Sequence, residues 1–189
     1  LGYSALNAQN NTTANDIYNV AVGYNAGGNI STGGHNTLVG SLSGDAITSG
    51  NSNVAVGYQT LSADTLGDRN VAIGLQALLT QNFTTTTDSY NTAVGYAAGT
   101  ATTTGTELTA VGGLAGDAFT DSDYNTAIGF KALTTDTLGS KSTAVGRGAL
   151  LTQNFTTATD THNTAVGFNA GVSITTGQQN TLIGSLAGD

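Results

Sequence analysis

Read as apolar and polar positions, the chain repeats one short figure: Thr or Val, then Ala or Leu, then Val or Ile, then Gly, usually preceded by Asn. The closing glycines are Gly2, Gly23, Gly40, Gly57, Gly74, Gly95, Gly112, Gly129, Gly146, Gly167 and Gly184, spaced 21, 17, 17, 17, 21, 17, 17, 17, 21 and 17 residues apart. One long and three short intervals sum to 72, and a second period follows at that length: Leu78-Leu79-Thr80-Gln81-Asn82-Phe83-Thr84-Thr85 returns as Leu150-Leu151-Thr152-Gln153-Asn154-Phe155-Thr156-Thr157. Repeats nested in this way are the signature of stacked structural units.

The figure itself is β-favouring. Side chains alternate across a strand, so the residue before each glycine and the residue two earlier share a face. The pattern predicts a core ladder of Val22, Val39, Val56, Ile73, Val94, Val111, Ile128, Val145, Val166 and Ile183, with Ala21, Leu38, Ala55 and Ala72 turned the other way. Further along each rung come a small residue (Ala26, Ser43, Thr60, Ala77), a second apolar stretch (Ile30, Ile47, Phe119, Ile174) and a turn glycine (Gly33, Gly50, Gly67, Gly105, Gly139, Gly177). The rung therefore reads strand, turn, strand, turn. The expected fold is all-β: a parallel β-solenoid or β-roll of about eleven rungs of 17 or 21 residues with a 72-residue superrepeat, one repetitive segment over residues 1–189, open at both ends as a fragment of a longer array. At about 4.8 Å per rung its ten intervals span roughly 48 Å. No rung buries its apolar face alone, so stability is collective.

Composition narrows the function classes. Twelve acidic against four basic residues leave a formal charge of −8 and little with which to neutralise a phosphate backbone, so nucleic acid is not an expected partner. No apolar run approaches membrane-spanning length, and no insertion of this segment into a membrane is expected. There is no Cys, Met, Trp or Pro.

The runs Asn70-Val71-Ala72-Ile73-Gly74, Asn53-Val54-Ala55-Val56-Gly57 and Asn91-Thr92-Ala93-Val94-Gly95 resemble the head repeat of YadA-type trimeric autotransporter adhesins, a repeat style also seen in phage tail-fibre-like proteins. The resemblance implies a left-handed parallel β-roll, three chains side by side, on a cell surface or virion. Rungs of 17 residues and the 72-residue superperiod depart from that family's shorter, less regular rungs.

Several residues are candidates for chemistry. Asn10, Asn82 and Asn154 begin Asn-x-Thr sequences at equivalent places, with further matches at Asn11 and Asn29, and are candidate glycosylation sites beside the four-residue insertions within residues 11–16, 83–88 and 155–160. Tyr24, Tyr58, Tyr96, Phe130 and Phe168 follow the glycine on alternate rungs, as a ladder for packing or for stacking a sugar. Asp45, Asp117 and Asp189 lie four rungs apart and cannot share an ion, and Asp121 with Asp123 lacks a third ligand. His35 and His162 read as solvated turn residues. One hexapeptide of the left-handed acyltransferase helices fits a rung, but the other two do not. No catalytic set assembles, and neither metal nor cofactor is expected.

The expectation is a non-enzymatic structural segment of an extracellular fibre, tail fibre or adhesin, self-associating as a homotrimer or filament. The alternatives are a module that recognises a cell-surface glycan or receptor through the insertions and the aromatic ladder, and an ice-binding solenoid. For the last, Ser31-Thr32, Thr48-Ser49, Thr103-Thr104 and Thr175-Thr176 recur but are interrupted by Thr65-Leu66 and Thr137-Leu138.

Overall fold

The computed structural model describes residues 2–10 and 17–189, and within them the chain is a parallel β-solenoid of about ten turns without a helix. Strands β1 (Val20–Val22), β2 (Thr37–Val39), β3 (Val54–Val56), β5 (Val71–Ile73), β7 (Thr92–Val94), β8 (Thr109–Val111), β9 (Thr126–Ile128), β11 (Thr143–Val145), β13 (Thr164–Val166) and β14 (Thr181–Ile183) form one ten-stranded sheet in chain order. Every pairing is parallel and in register, so Val22 aligns with Val39, Val39 with Val56 and Val56 with Ile73. The remaining strands pair two by two, β4 (Gly67–Asp68) with β6 (Thr87–Asp88) and β10 (Gly139–Ser140) with β12 (Thr159–Asp160). Both small sheets lie where a four-residue insertion lengthens the rung.

The glycine closing each strand is required by geometry. Gly57 has φ +141, and a Cβ there would stand 2.6 Å from the carbonyl oxygen of Gly74 on the next rung. Neither the conformation nor the space admits a side chain. The second apolar stretch of each rung is not a strand, contrary to the sequence reading. Around Ile30, Ile47 and Phe119 the backbone turns, and its N–H groups bond from rung to rung, as Thr48 to the Thr65 carbonyl at 3.0 Å.

The core is the reverse of the predicted one. Leu38, Ala55, Ala72, Ala93, Ala110, Ala127, Ala144 and Ala165 are fully buried, whereas Val22 and Ile73 are 43% and 37% exposed. The Val/Ile column is contiguous, as expected, but it faces outward. The interior is too thin for β-branched residues on the strand, because the opposite wall supplies the bulk. Four residues past the closing glycine, that wall carries Gly27, Gly44, Leu61, Leu78, Gly99, Gly116, Leu133, Leu150 and Gly171, and sizes compensate around each. Leu38 fits on its strand because its methyls lie against Gly27 and Gly44, and Leu182 because of Gly171 and Gly188. Ala72 and Ala144 face Leu61 and Leu78, and Leu133 and Leu150, which fill the same volume from the other side. Ala110 sits between glycines, and there Leu108 and Phe119 supply the missing atoms. Packing at crystal-like density demands such complementarity.

A second internal column is polar. Asn36, Asn53, Asn70, Asn91, Asn125 and Asn163 are buried and sit just before the strands. The Asn53 Oδ1 accepts the Asn70 N–H at 2.9 Å, and its Nδ2 donates to the Gly67 carbonyl at 2.9 Å. Equivalent bonds link Asn36 to Asn53 and Gly50, and Asn91 to Leu108 and Gly105. Leu108 takes the Asn position on one rung and Ser142 on another.

Candidate interaction face

Turning the Val/Ile column outward makes the ten-stranded sheet a surface feature. Beside it, two residues earlier on each strand, runs a second outward column: Val20, Thr37, Val54, Val71, Thr92, Thr109, Thr126, Thr143, Thr164 and Thr181. Its members are half-buried along the strands and exposed at Val20 and Thr181. Neither column contains a charged residue, and among the described residues the threonine hydroxyls of this column make no hydrogen bond within the chain. From Thr92 to Thr181 threonine occupies every rung.

The aromatic ladder borders this face at the strand-closing corner. Tyr24, Tyr58, Tyr96, Phe130 and Phe168 are each about half exposed. Tyr3 stacks on Tyr24 with centroids 5.8 Å apart and planes at 8°, and the Arg147 guanidinium lies between Phe130 and Phe168, 5.9 and 5.4 Å from the two centroids. At Tyr24, Phe130 and Phe168 a neighbour lies against the ring, which favours packing over a sugar-stacking platform at those rungs. Arg147 as the filling between two rings was missed in the sequence, although its place between two phenylalanines in the ladder was there to be read.

The polar candidates are dispersed. Asn82 and Asn154 are exposed at the start of their insertions, where each accepts a hydrogen bond from Thr65 or Thr137. Asn10 and Asn29 are also exposed, while Asn11, and with it the insertion at 11–16, lies outside the described residues. The two described insertions are pinned by cations of the preceding rung: Arg69 pairs with Asp88 and lies over the Tyr90 ring, and Lys141 pairs with Asp160 at 2.5 Å and lies over Tyr124. Asp45 accepts from Ser62 at 2.5 Å, Asp117 from Thr134 at 2.5 Å, Asp121 from Thr104 at 2.7 Å and Asp123 from Thr106 at 2.9 Å. His35 and His162 are exposed at turns, His35 beside the Tyr18 ring. Among the described residues no group of three metal-ligating side chains gathers, and no cavity opens. Of the ice-binding candidates, Ser31, Thr48 and Thr103 donate to the carbonyls of Thr48, Thr65 and Thr120, Thr32 donates to Ser49 and Thr104 to Asp121, while Thr175 and Thr176 are exposed.

One buried carboxylate has an unusual setting. Asp64 accepts from the Gly67 N–H at 3.0 Å, the Phe83 N–H at 3.3 Å and the Gln81 amide at 2.7 Å, and Gln81 in turn accepts from Asn91. Burial pushes its pKa up, against these hydrogen bonds. Burial likewise raises Asp117, opposed by Thr134 and Lys131. The Asp64 arrangement recurs as Asp136, Gln153 and Asn163. Each set ties an insertion to the core, which is structural chemistry. No family model, curated protein or solved structure matches the chain.

Proposed function

We propose that the chain is a structural segment of an extracellular or virion fibre, a stiff rod without a catalytic role. The observation that carries this reading is the unbroken ladder: ten strands in parallel register, each rung hydrogen-bonded to the next along the whole described length. A quasi-one-dimensional stack transmits length and stiffness. The residues that depart from the repeat, such as Leu108, Phe119 and Arg147, are accounted for by packing. The resemblance of the Asn-Val-Ala-Ile-Gly run to adhesin-head and tail-fibre repeats points the same way, and extends the reading to a left-handed roll assembled side by side with other copies.

Two measurements test it. Small-angle scattering of the isolated chain is expected to give a rod about 43 Å long across the nine intervals of the sheet. Immunogold labelling of the intact source is expected to decorate surface appendages or particle fibres. A compact scatterer, or label confined to the cell interior, would remove the fibre reading.

A further inference from the structure

Turn threonines such as Thr48 and Thr104 spend their hydroxyls on the next rung, Thr48 on the Thr65 carbonyl and Thr104 on Asp121. The strand threonines do not. Thr92, Thr109, Thr126, Thr143, Thr164 and Thr181 stand on six successive rungs in one outward column, and their hydroxyls have no partner in the chain. Two residues on, Val94, Val111, Ile128, Val145, Val166 and Ile183 form the column beside it. Neither column holds a charge, although the chain as a whole carries −8. Reversal of the strand thus places outside the unbroken threonine array that the turns lack.

The panel is regular in two directions. Its members repeat every ~4.8 Å along the rod, and the two columns lie ~6.6 Å apart across the strand. Six threonine rungs make it about 24 Å long. Side-chain ladders oppose the twist of a many-stranded sheet, and the buried asparagines supply one behind this face. Thr, Val and Ile are stiff at χ1, so hydroxyls and methyl groups keep fixed places on the panel.

We propose that this panel binds the surface of ice, through the Thr-x-Val or Thr-x-Ile pair of each rung from Thr92 to Ile183. A charged ligand finds no opposite charge here. An apolar partner would bury six hydroxyls without acceptors. An irregular protein surface lacks the double period. Ice has it: rows of oxygens repeat in two perpendicular directions at spacings close to those of the rungs and the columns, and each oxygen both donates and accepts. The hydroxyls join that lattice as further members. The methyl groups between them shed ordinary hydration on contact. Because the panel is already rigid, little ordering entropy is lost on binding. Val20, Val54 and Val71 take the threonine place on three of the four earlier rungs, so the site belongs to the part of the rod from Thr92 onward. The inference goes beyond the fibre reading and requires of it only that this face stay open to water.

Partition of the full chain between slowly growing ice and the remaining liquid tests the proposal, with thermal hysteresis at millimolar protein as the second readout. The wild-type chain is expected to be enriched several-fold in the ice over a co-dissolved globular control protein, and to hold seed crystals below their melting point. Thr126→Lys combined with Thr143→Lys is expected to bring the enrichment down to that of the control with the β-sheet circular dichroism unchanged. Thr126→Tyr, a single ring raised above the panel, is expected to do the same and keeps the test open where the double variant does not fold. Thr84→Lys combined with Thr156→Lys, both in the exposed insertions, is expected to leave the enrichment intact. Exclusion of the wild-type chain from ice, with rod-shaped scattering retained, would overturn the proposal and leave the fibre reading standing. Equal loss in the insertion variant would overturn the assignment to this face. A wild-type oligomer that Thr126→Lys with Thr143→Lys turns into monomers would overturn it too, since another copy would then cover the panel. Loss of the rod shape itself would count against the fibre reading instead.

Discussion

Replacing Asn53 by alanine tests the polar spine of the rod directly. The side chain is fully buried, its Oδ1 accepts from the Asn70 backbone N–H at 2.9 Å and the Asn70 Nδ2 at 3.1 Å, and its Nδ2 donates to the Gly67 carbonyl at 2.9 Å. Alanine leaves the Asn70 N–H and the Gly67 carbonyl buried without these partners, at about 1–3 kcal/mol for each stranded group. A small cavity adds to this, so the expected loss is about 3–5 kcal/mol. With a urea dependence of about 3 kcal/mol per M for a chain of this size, the midpoint falls by more than about 1 M. Urea titration followed by far-ultraviolet circular dichroism reads it, and a hydrophobic replacement sharpens it. Asn53→Leu copies the natural Leu108, but Leu108 packs beside Gly99 and Thr102, whereas the wall near Asn53 already holds Ile47 and Leu61. Asn53→Leu is therefore expected to be no better than Asn53→Ala. A loss below about 0.5 kcal/mol for Asn53→Ala would refute the reasoning, since it would mean that the column carries no more than an exposed hydrogen bond does.

Other outcomes follow from the packing and the charges. Ala72→Leu, placed between Leu61 and Leu78, is expected to cost about 1–3 kcal/mol by overpacking, and Leu38→Ala about 2–5 kcal/mol by opening a cavity between Gly27 and Gly44; both are read in the same titration. Leu42 holds φ 57 at a place where another rung has Gly148 at φ 65, so Leu42→Gly is expected to raise the thermal midpoint modestly, by about 1 kcal/mol of relieved strain. For Asp64 the folded pKa is raised above the unfolded 3.8, so the folded state holds this proton more tightly. The stability it contributes is complete below that unfolded value and is lost as pH rises through the folded one. Asp64→Asn is expected to flatten this part of the pH profile, measured by denaturant titration from acid to neutral pH; an unchanged slope would show that burial does not govern the group.

The strands, their parallel stacking and their register were legible because glycine and asparagine recur at fixed places whose backbone demands are strict. The orientation of the strand was not. Val-Ala-Val and Thr-Ala-Val present apolar atoms on both faces, and hydrophobicity alone turns Val22 and Val56 inward. The decisive signal was size correlation. Leu replaces Ala at Leu38 and Leu182 only where glycines flank it on the facing wall, whereas the Val/Ile column ignores what surrounds it. A column that answers to its neighbours is packed, and one that does not is free of them. Ile30 and Ile47 favour a strand, yet the N–H of each turns back to the carbonyl three residues earlier, Gly27 and Gly44, and is not available for pairing with the next rung.

Leu108 has a mechanical corollary. The Asn91 side chain still accepts the Leu108 N–H, but Leu108 has no oxygen to offer Asn125, and the buried Thr102 hydroxyl alongside has no partner. At this level the links between rungs shift from the buried spine to the rim: Thr103 donates to the Thr120 carbonyl, Thr104 to Asp121 and Thr106 to Asp123. The join between these two rungs therefore stands in contact with solvent, where the joins around Asn53 and Asn91 are held from inside.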